Sequence, residues 1–146
     1  MSDNEIAEII DTFELLGDWD ERYQYLIELG ERLPPMPVED KTTGNWVKEC
    51  MSTVHTAVHP QADPPGTLVF TGDCDTAIIK GVVAILVGLF SGKTAAEIEA
   101  MDVDALFQGL HLQDHLSPNR HVGVYAIVRR MKAQALACVP LDVSGQ

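Results

Sequence analysis

Cys50, Cys74 and Cys138 are the three thiols of the sequence, and each sits in a different local setting. A thiol reacts as thiolate, and an unperturbed pKa of about 8.5 leaves only a few per cent ionised at neutral pH. Neighbours therefore decide which cysteine does chemistry. Cys138 falls on the apolar stripe of the last predicted helix, where cysteine packs as a small hydrophobe. Cys74 is placed at the start of a helix, which favours thiolate, but Asp73 and Asp75 flank it and oppose that effect. Cys50 lies between two predicted strands, beside Lys48 and Glu49, at a loop tip from which a side chain reaches solvent. Pattern alone leaves its reactivity open, because burial is the commoner fate of a cysteine.

Five histidines invite a dyad or a metal site. Cys50 and His55 are the obvious pair, yet five residues of extended strand span roughly 16 Å. His55 and His59 alternate with apolar neighbours and are expected to face solvent; His111, His115 and His121 fall in or near loops. Cys50, Cys74 and His115 with a carboxylate have the donor chemistry for zinc or an iron–sulfur cluster, but no close-spaced ligand pair accompanies them. Arg120 stands in the first turn of a predicted helix, where a cation opposes the macrodipole. Pairing with Asp114 would make it an ordinary surface residue; contact with a partner or a reacting anion is the other reading. The sequence has no P-loop, dinucleotide fingerprint or nucleophile elbow, so no self-sufficient enzyme is expected.

The elements that must position these residues belong to an acidic chain. Its 146 residues carry 22 acidic and 10 basic side chains, a formal net charge of -12. Such a field repels phosphate backbones and anionic lipid headgroups, so neither nucleic acid nor membrane is an expected partner. A single domain over residues 1–146 is expected, its core at about 5–138 and a loose tail at 140–146. The first residues show no secretory or transit pattern, and an odd number of widely spaced thiols suits a reducing compartment; a cytoplasmic location is the expectation. The apolar run Ala77 to Phe90 is interrupted by Lys80, Gly81 and Gly88, and is shorter than the roughly 20 residues that span a membrane.

Ile6, Ile9, Ile10, Phe13 and Leu16 recur at helical spacing, and Gly17 ends that segment. Asp18 with Glu21 starts a second helix, which Pro34, Pro35 and Pro37 stop. Trp46 to Glu49, Thr53 to His59 and Thr67 to Thr71 are predicted as a short antiparallel meander. Asp73-Cys74-Asp75 is expected to open the apolar helix that ends at Ser91-Gly92. Along that helix Ala77, Gly81, Ala84 and Gly88 leave one side open to a neighbouring backbone. Thr94 with Glu97, Asp102, and Ser117-Pro118 start three further helices. The fold class is therefore α+β, with a small three-stranded antiparallel sheet packed against helices.

In order along the chain, residues 23–33 (YQYLIELGERL), Asp40-Lys41, 50–54 (CMSTV), 72–81 (GDCDTAIIKG) and 115–120 (HLSPNR) resemble the SufE family. The resemblance covers roughly residues 5–136. It implies a fold similar to that of the cluster scaffold IscU. It also implies a carrier that accepts sulfane sulfur on Cys50 from a SufS- or CsdA-like cysteine desulfurase, stimulates that enzyme and supplies iron–sulfur cluster assembly. Pyridoxal phosphate would belong to the partner, and the chain would carry neither cofactor nor metal. By position, Asp73, Asp75 and Lys80 resemble the motif at the start of the central helix, and His115, Ser117, Pro118 and Arg120 the late motif near the acceptor cysteine.

The sequence also departs from that family's usual pattern. Glu49-Cys50-Met51-Ser52 stands where Gly-Cys-Gln-Ser is usual, with His55 at an aromatic position; Glu49 disfavours thiolate. Cys74 replaces a usual serine, which puts a second thiol near the site, able to resolve a Cys50 persulfide or to bind metal. Two rival readings follow: a metal or cluster scaffold built on Cys50, Cys74 and His115, and an interaction module whose thiols are all structural.

Overall fold

A computed structural model describes residues 3–50, 52–114 and 116–138, apart from the side chains of residues 3, 4, 113, 119 and 120. The amphipathic segments at the start form α1 (Asp3–Leu15) and α2 (Trp19–Glu31). Asp18 caps α2 by accepting from Glu21 N–H at 3.0 Å. One turn on, Arg22 donates from Nε to the open carbonyl of Phe13 at 2.8 Å, joining the end of α1 to the start of α2. The prolines then force extended chain, and two single 3-10 turns follow, Val38–Asp40 and Thr43–Asn45.

β1 (Val54–Pro60) and β2 (Thr67–Cys74) form an antiparallel hairpin in the register Val54↔Cys74 through Pro60↔Leu68. The third strand of the sheet is β3 (Lys93–Thr94), which pairs with Thr67 and Leu68 and sets the order β1-β2-β3. A three-stranded antiparallel sheet is thus present, but the expected strand at Trp46–Glu49 is not one of its members. Trp46 makes an isolated bridge to His55, and after Val47 the chain turns back. The physical reason is local: Val47 N–H is taken by the Val54 carbonyl at 2.8 Å, and the Val47 carbonyl accepts from Cys50 N–H at 3.4 Å. β3 has only two residues, too few to show a period of two.

A second correction concerns Asp73 and Cys74. Both belong to β2, and the central helix α3 (Ala77–Phe90) starts three residues later with Thr76 at its N-cap. The alternation decides this: Leu68, Phe70, Gly72 and Cys74 are buried while Val69, Thr71 and Asp73 are half-buried, so the period of two runs on to Cys74. Gly92, with φ 84°, terminates α3 as the sequence predicts.

α3 packs against α2 so closely that a Cβ on Gly81 would run into the Leu26 carbonyl, and one on Gly30 would lie 3.0 Å from Gly81 N. The small-residue side of α3 thus meets a backbone, as its spacing predicts. α4 (Ala95–Ala100), α5 (Val103–Gly109) and the long α6 (Pro118–Ala137) follow. Thr94 and Glu97 form the full capping box, and Asp102 accepts from Ala105 N–H at 3.1 Å.

Both α3 and α6 lie on one face of the sheet. A Cβ on Gly72 would meet Val83 of α3, and Gln134 of α6 bonds Thr56, the residue paired with Gly72. The opposite face carries residues 38–41: buried Asp40 accepts from Thr71 Oγ1 at 2.8 Å and meets His59 Nε2 at 3.0 Å. His59 is exposed, as expected, and also partners this buried carboxylate, which has to be hydrogen-bonded once it leaves water.

Candidate functional site

The chain between Val47 and Val54 forms a loop beside α6, ahead of the hairpin. Its entry is closed by the bond from Val47 N–H to the Val54 carbonyl. The chain leading into it is held from α6, where Arg130 Nη2 donates to the carbonyls of Gly44 at 2.8 Å and Trp46 at 3.0 Å. On the exit side Thr53 N–H donates to Asp75 Oδ1 at 3.0 Å, Asp75 N–H donates to the Thr53 carbonyl at 3.2 Å, and the Ser52 and Thr76 hydroxyls are 2.6 Å apart. The loop is thereby fixed at both ends by the strand and by the link that precedes α3.

Lys48 and Glu49 are exposed on this loop, whereas Cys50 is half-buried and packs against the core. The thiol does not project freely as a loop tip would suggest. Its sulfur lies against α6 at Gly123, where an added Cβ would stand 2.8 Å from Sγ. Trp46, 39 % exposed, and Val122, 58 % exposed, are apolar side chains close in sequence to this contact.

Cys74 sits at the end of β2, opposite Val54, and is buried. Burial pushes its thiol up to about 11; Thr76 N–H, which donates to Sγ at 3.4 Å, works against that, and charge on Cys50 and on Asp75 adds to it. Cys74 ends a strand and does not open the helix as the sequence predicts, although the N–H of the N-cap residue Thr76 still reaches its sulfur. Cys50 and Cys74 thus share one electrostatic environment, and Ser52 reaches the Cys74 thiol from the loop.

Asp73 points to the opposite face of β2 from Cys74. It accepts from Lys41 at 2.8 Å and Lys80 at 3.3 Å. Burial raises its carboxyl, but these two lysines and the Cys74 N–H outweigh that and leave it below the usual value of 3.8. Asp73 and Lys80 are therefore brought together as an ion-pair cluster spanning residue 41, β2 and α3. Asp75 is brought to the Cys50 loop instead. His115 and the Arg120 side chain lie outside the described residues, as does the pairing of Arg120 with Asp114. Among the described residues no group of three or more His, Cys, Asp or Glu is arranged to hold a metal ion, and no helix is long and apolar enough to cross a membrane.

Gly123, Ser52 with Thr76, and Arg130 are site elements that the sequence did not single out. A glycine in a helix interior was an available signal for the first. Ser52 and Thr76 fall within the quoted motifs, but their contact, like those of Arg130, joins residues distant in sequence.

A family model described as "SufE: Fe-S metabolism associated domain" matches residues 7–135. The chain belongs to the SufE family. It is 40% identical over 136 residues to an uncharacterized SufE-like protein of Rhizobium meliloti, covering 92% of this chain and 97% of that one. A second uncharacterized SufE-like protein, from Rhizobium etli, is 40% identical over 131 residues, covering 89% and 88%. Among solved structures, the solution structure of a hypothetical protein from Thermus thermophilus superposes with a TM-score of 0.73 over 94% of this chain and 97% of that one. At 19% identity it shows a shared fold. SufE membership carries a part in sulfur transfer for iron–sulfur metabolism, with a cysteine desulfurase as the general kind of partner.

Proposed function

We propose that this SufE-family chain accepts sulfur on Cys50 from a cysteine desulfurase persulfide, stimulates that enzyme and passes the sulfur to an iron–sulfur scaffold. The observation that carries the reading is the setting of Cys50: one half-buried thiol on a loop fastened at both ends, with exposed charged and apolar neighbours. In the transfer, the Cys50 thiolate attacks the outer sulfur of the partner's persulfide. The new S–S bond forms on Cys50, the partner's cysteine leaves as thiolate, and no net oxidation occurs. Pyridoxal phosphate acts in the partner and is not required on this chain.

Asp75 supports the step by holding the loop, and Asp73 with Lys80 by tying β2 to α3 beneath it. Cys74 stays out of the exchange at neutral pH, since a buried thiol titrating at about 11 supplies almost no thiolate there. His115 and Arg120, in the late motif that the family resemblance puts near the acceptor cysteine, are assigned a supporting or partner-binding role.

The test is intact-mass spectrometry after incubation with a cysteine desulfurase, cysteine and pyridoxal phosphate. A reductant-labile gain of about 32 Da, one sulfur atom, mapped to Cys50 and absent from Cys50→Ser supports the reading. An active desulfurase with no gain, or a gain retained in Cys50→Ser, defeats it. The same assay on His115→Ala and Arg120→Ala should show slower loading with the mass gain still on Cys50.

A further inference from the structure

α6 keeps a glycine in its interior, where glycine is roughly 1 kcal/mol less favourable than alanine. At two other helix positions a glycine has a backbone reason: Gly81 meets the main chain of Leu26, and Gly30 meets that of Lys80 and Gly81. Gly123 differs. The three nearest atoms to a Cβ built there all belong to Cys50: Sγ at 2.8 Å, and Cα and Cβ at 3.3 Å each. The volume that a methyl group would fill is therefore taken by the thiol-bearing residue. Around it the helix face is packed, with Val124 and Ile127 buried, so α6 has no slack with which to retreat.

We propose that Gly123 is a positioning residue for Cys50, its missing side chain forming the berth that holds the thiol turned inward between encounters with the partner. The proposal rests on the reading of Cys50 as the acceptor only for its consequence, not for its geometry. Sγ–Cβ contact at 2.8 Å is closer than real Cβ atoms are found, so a methyl group there displaces the sulfur. The Cα of Cys50, at 3.3 Å, has to give by a few tenths of an ångström as well, so rotation of the side chain relieves only part of the contact. The loop has to move outward, and the thiol with it. Gly123 thus sets the balance between a sheltered thiol and a presented one, and through it how long an attached sulfur survives small reductants.

The experiment is the Gly123→Ala variant of the full chain, with iodoacetamide alkylation followed cysteine by cysteine through peptide mass mapping. Cys50 should react about tenfold faster than in the parent chain, with Cys74 and Cys138 unchanged as internal references. Equal Cys50 rates in the two folded chains overturn the proposal. A second comparison applies even if Gly123→Ala is strongly destabilised: its effect on the melting temperature is measured alone and in a Cys50→Gly background. The berth requires that the loss fall by more than half once the thiol is gone; an equal loss in both backgrounds overturns it. Desulfurase loading of the parent chain separates the two readings. Faster alkylation of Cys50 in Gly123→Ala with no persulfide on the parent leaves the berth standing and defeats the sulfur-carrier function. A loaded parent with unchanged alkylation does the reverse.

Discussion

Thr53 and Asp75 hold each other twice, once from Thr53 N–H to Asp75 Oδ1 at 3.0 Å and once from Asp75 N–H to the Thr53 carbonyl at 3.2 Å. The carboxylate half of that pair has a charge-assisted acceptor, the stronger kind of hydrogen bond. Asp75→Ala should therefore lower stability by about 1–2 kcal/mol in urea denaturation, and Asp75→Asn by clearly less, since an amide oxygen still accepts. Hydrogen exchange at Thr53 should quicken in the alanine variant. Equal stabilities for Asp75→Ala and the parent chain would refute the fastening role.

The α2–α3 contact gives a sharper test. Alanine at position 81 gains helix propensity, yet its Cβ would run into the Leu26 carbonyl, a main-chain atom that cannot swing away. Overpacking should win: Gly81→Ala is expected to cost about 3 kcal/mol, read from the denaturation midpoint. Gly17→Ala, where nothing stands within 4 Å, is the control and should stay within about 0.5 kcal/mol of the parent.

Cys74 predicts an alkaline limb. Its thiol titrates at about 11 when folded against an ordinary value of 9.0. The raised folded value means that stability from the neutral buried thiol is fully present below pH 9, and is lost as pH rises from there through about 11, where the unfolded chain alone releases the proton. Cys74→Ser should flatten this limb, which spans about 2–3 kcal/mol at most. Identical stability profiles from pH 8 to pH 11 for the two chains would remove Cys74 from the account.

On the acid side the sign reverses. Burial raises the Asp40 carboxyl, but His59 and Thr71 outweigh it and hold the group below 3.8. Stability from Asp40 is therefore present above that ordinary value and disappears as pH falls through the lowered one. Asp40→Asn should cost about 1–3 kcal/mol at pH 7 and show a shallower loss between pH 5 and pH 2. Parallel acid profiles would contradict the assignment.

Helices were legible in the sequence because their signals are local: the Asp18, Thr94 and Asp102 caps and the Gly92 stop each act within a few residues. Strand membership was less so. Lys93 and Thr94 join the sheet only because α3 returns the chain beside Thr67 and Leu68, a consequence of tertiary packing. Asp73 and Asp75 imitate a helix start around Cys74, while the inward alternation that ends at Cys74 points to strand. Cys50 was singled out by position, but its contact with Gly123 joins residues far apart in sequence, and the pairing of His59 with Asp40 is equally invisible to any short window. Family resemblance supplied the carrier reading; it did not supply the berth.

The loop bearing Cys50 is closed at its entry by main-chain groups, Val47 N–H on the Val54 carbonyl, and at its exit partly so, Asp75 N–H on the Thr53 carbonyl. The identities of the exposed Lys48 and Glu49 are not needed to hold it in place. Mutations in those two codons alter the charge displayed around the thiol without moving the thiol. Placement of the thiol and the charge displayed around it are thus heritable as separate traits, and neutral drift at residues 48 and 49 can change the one while the other stays as it is.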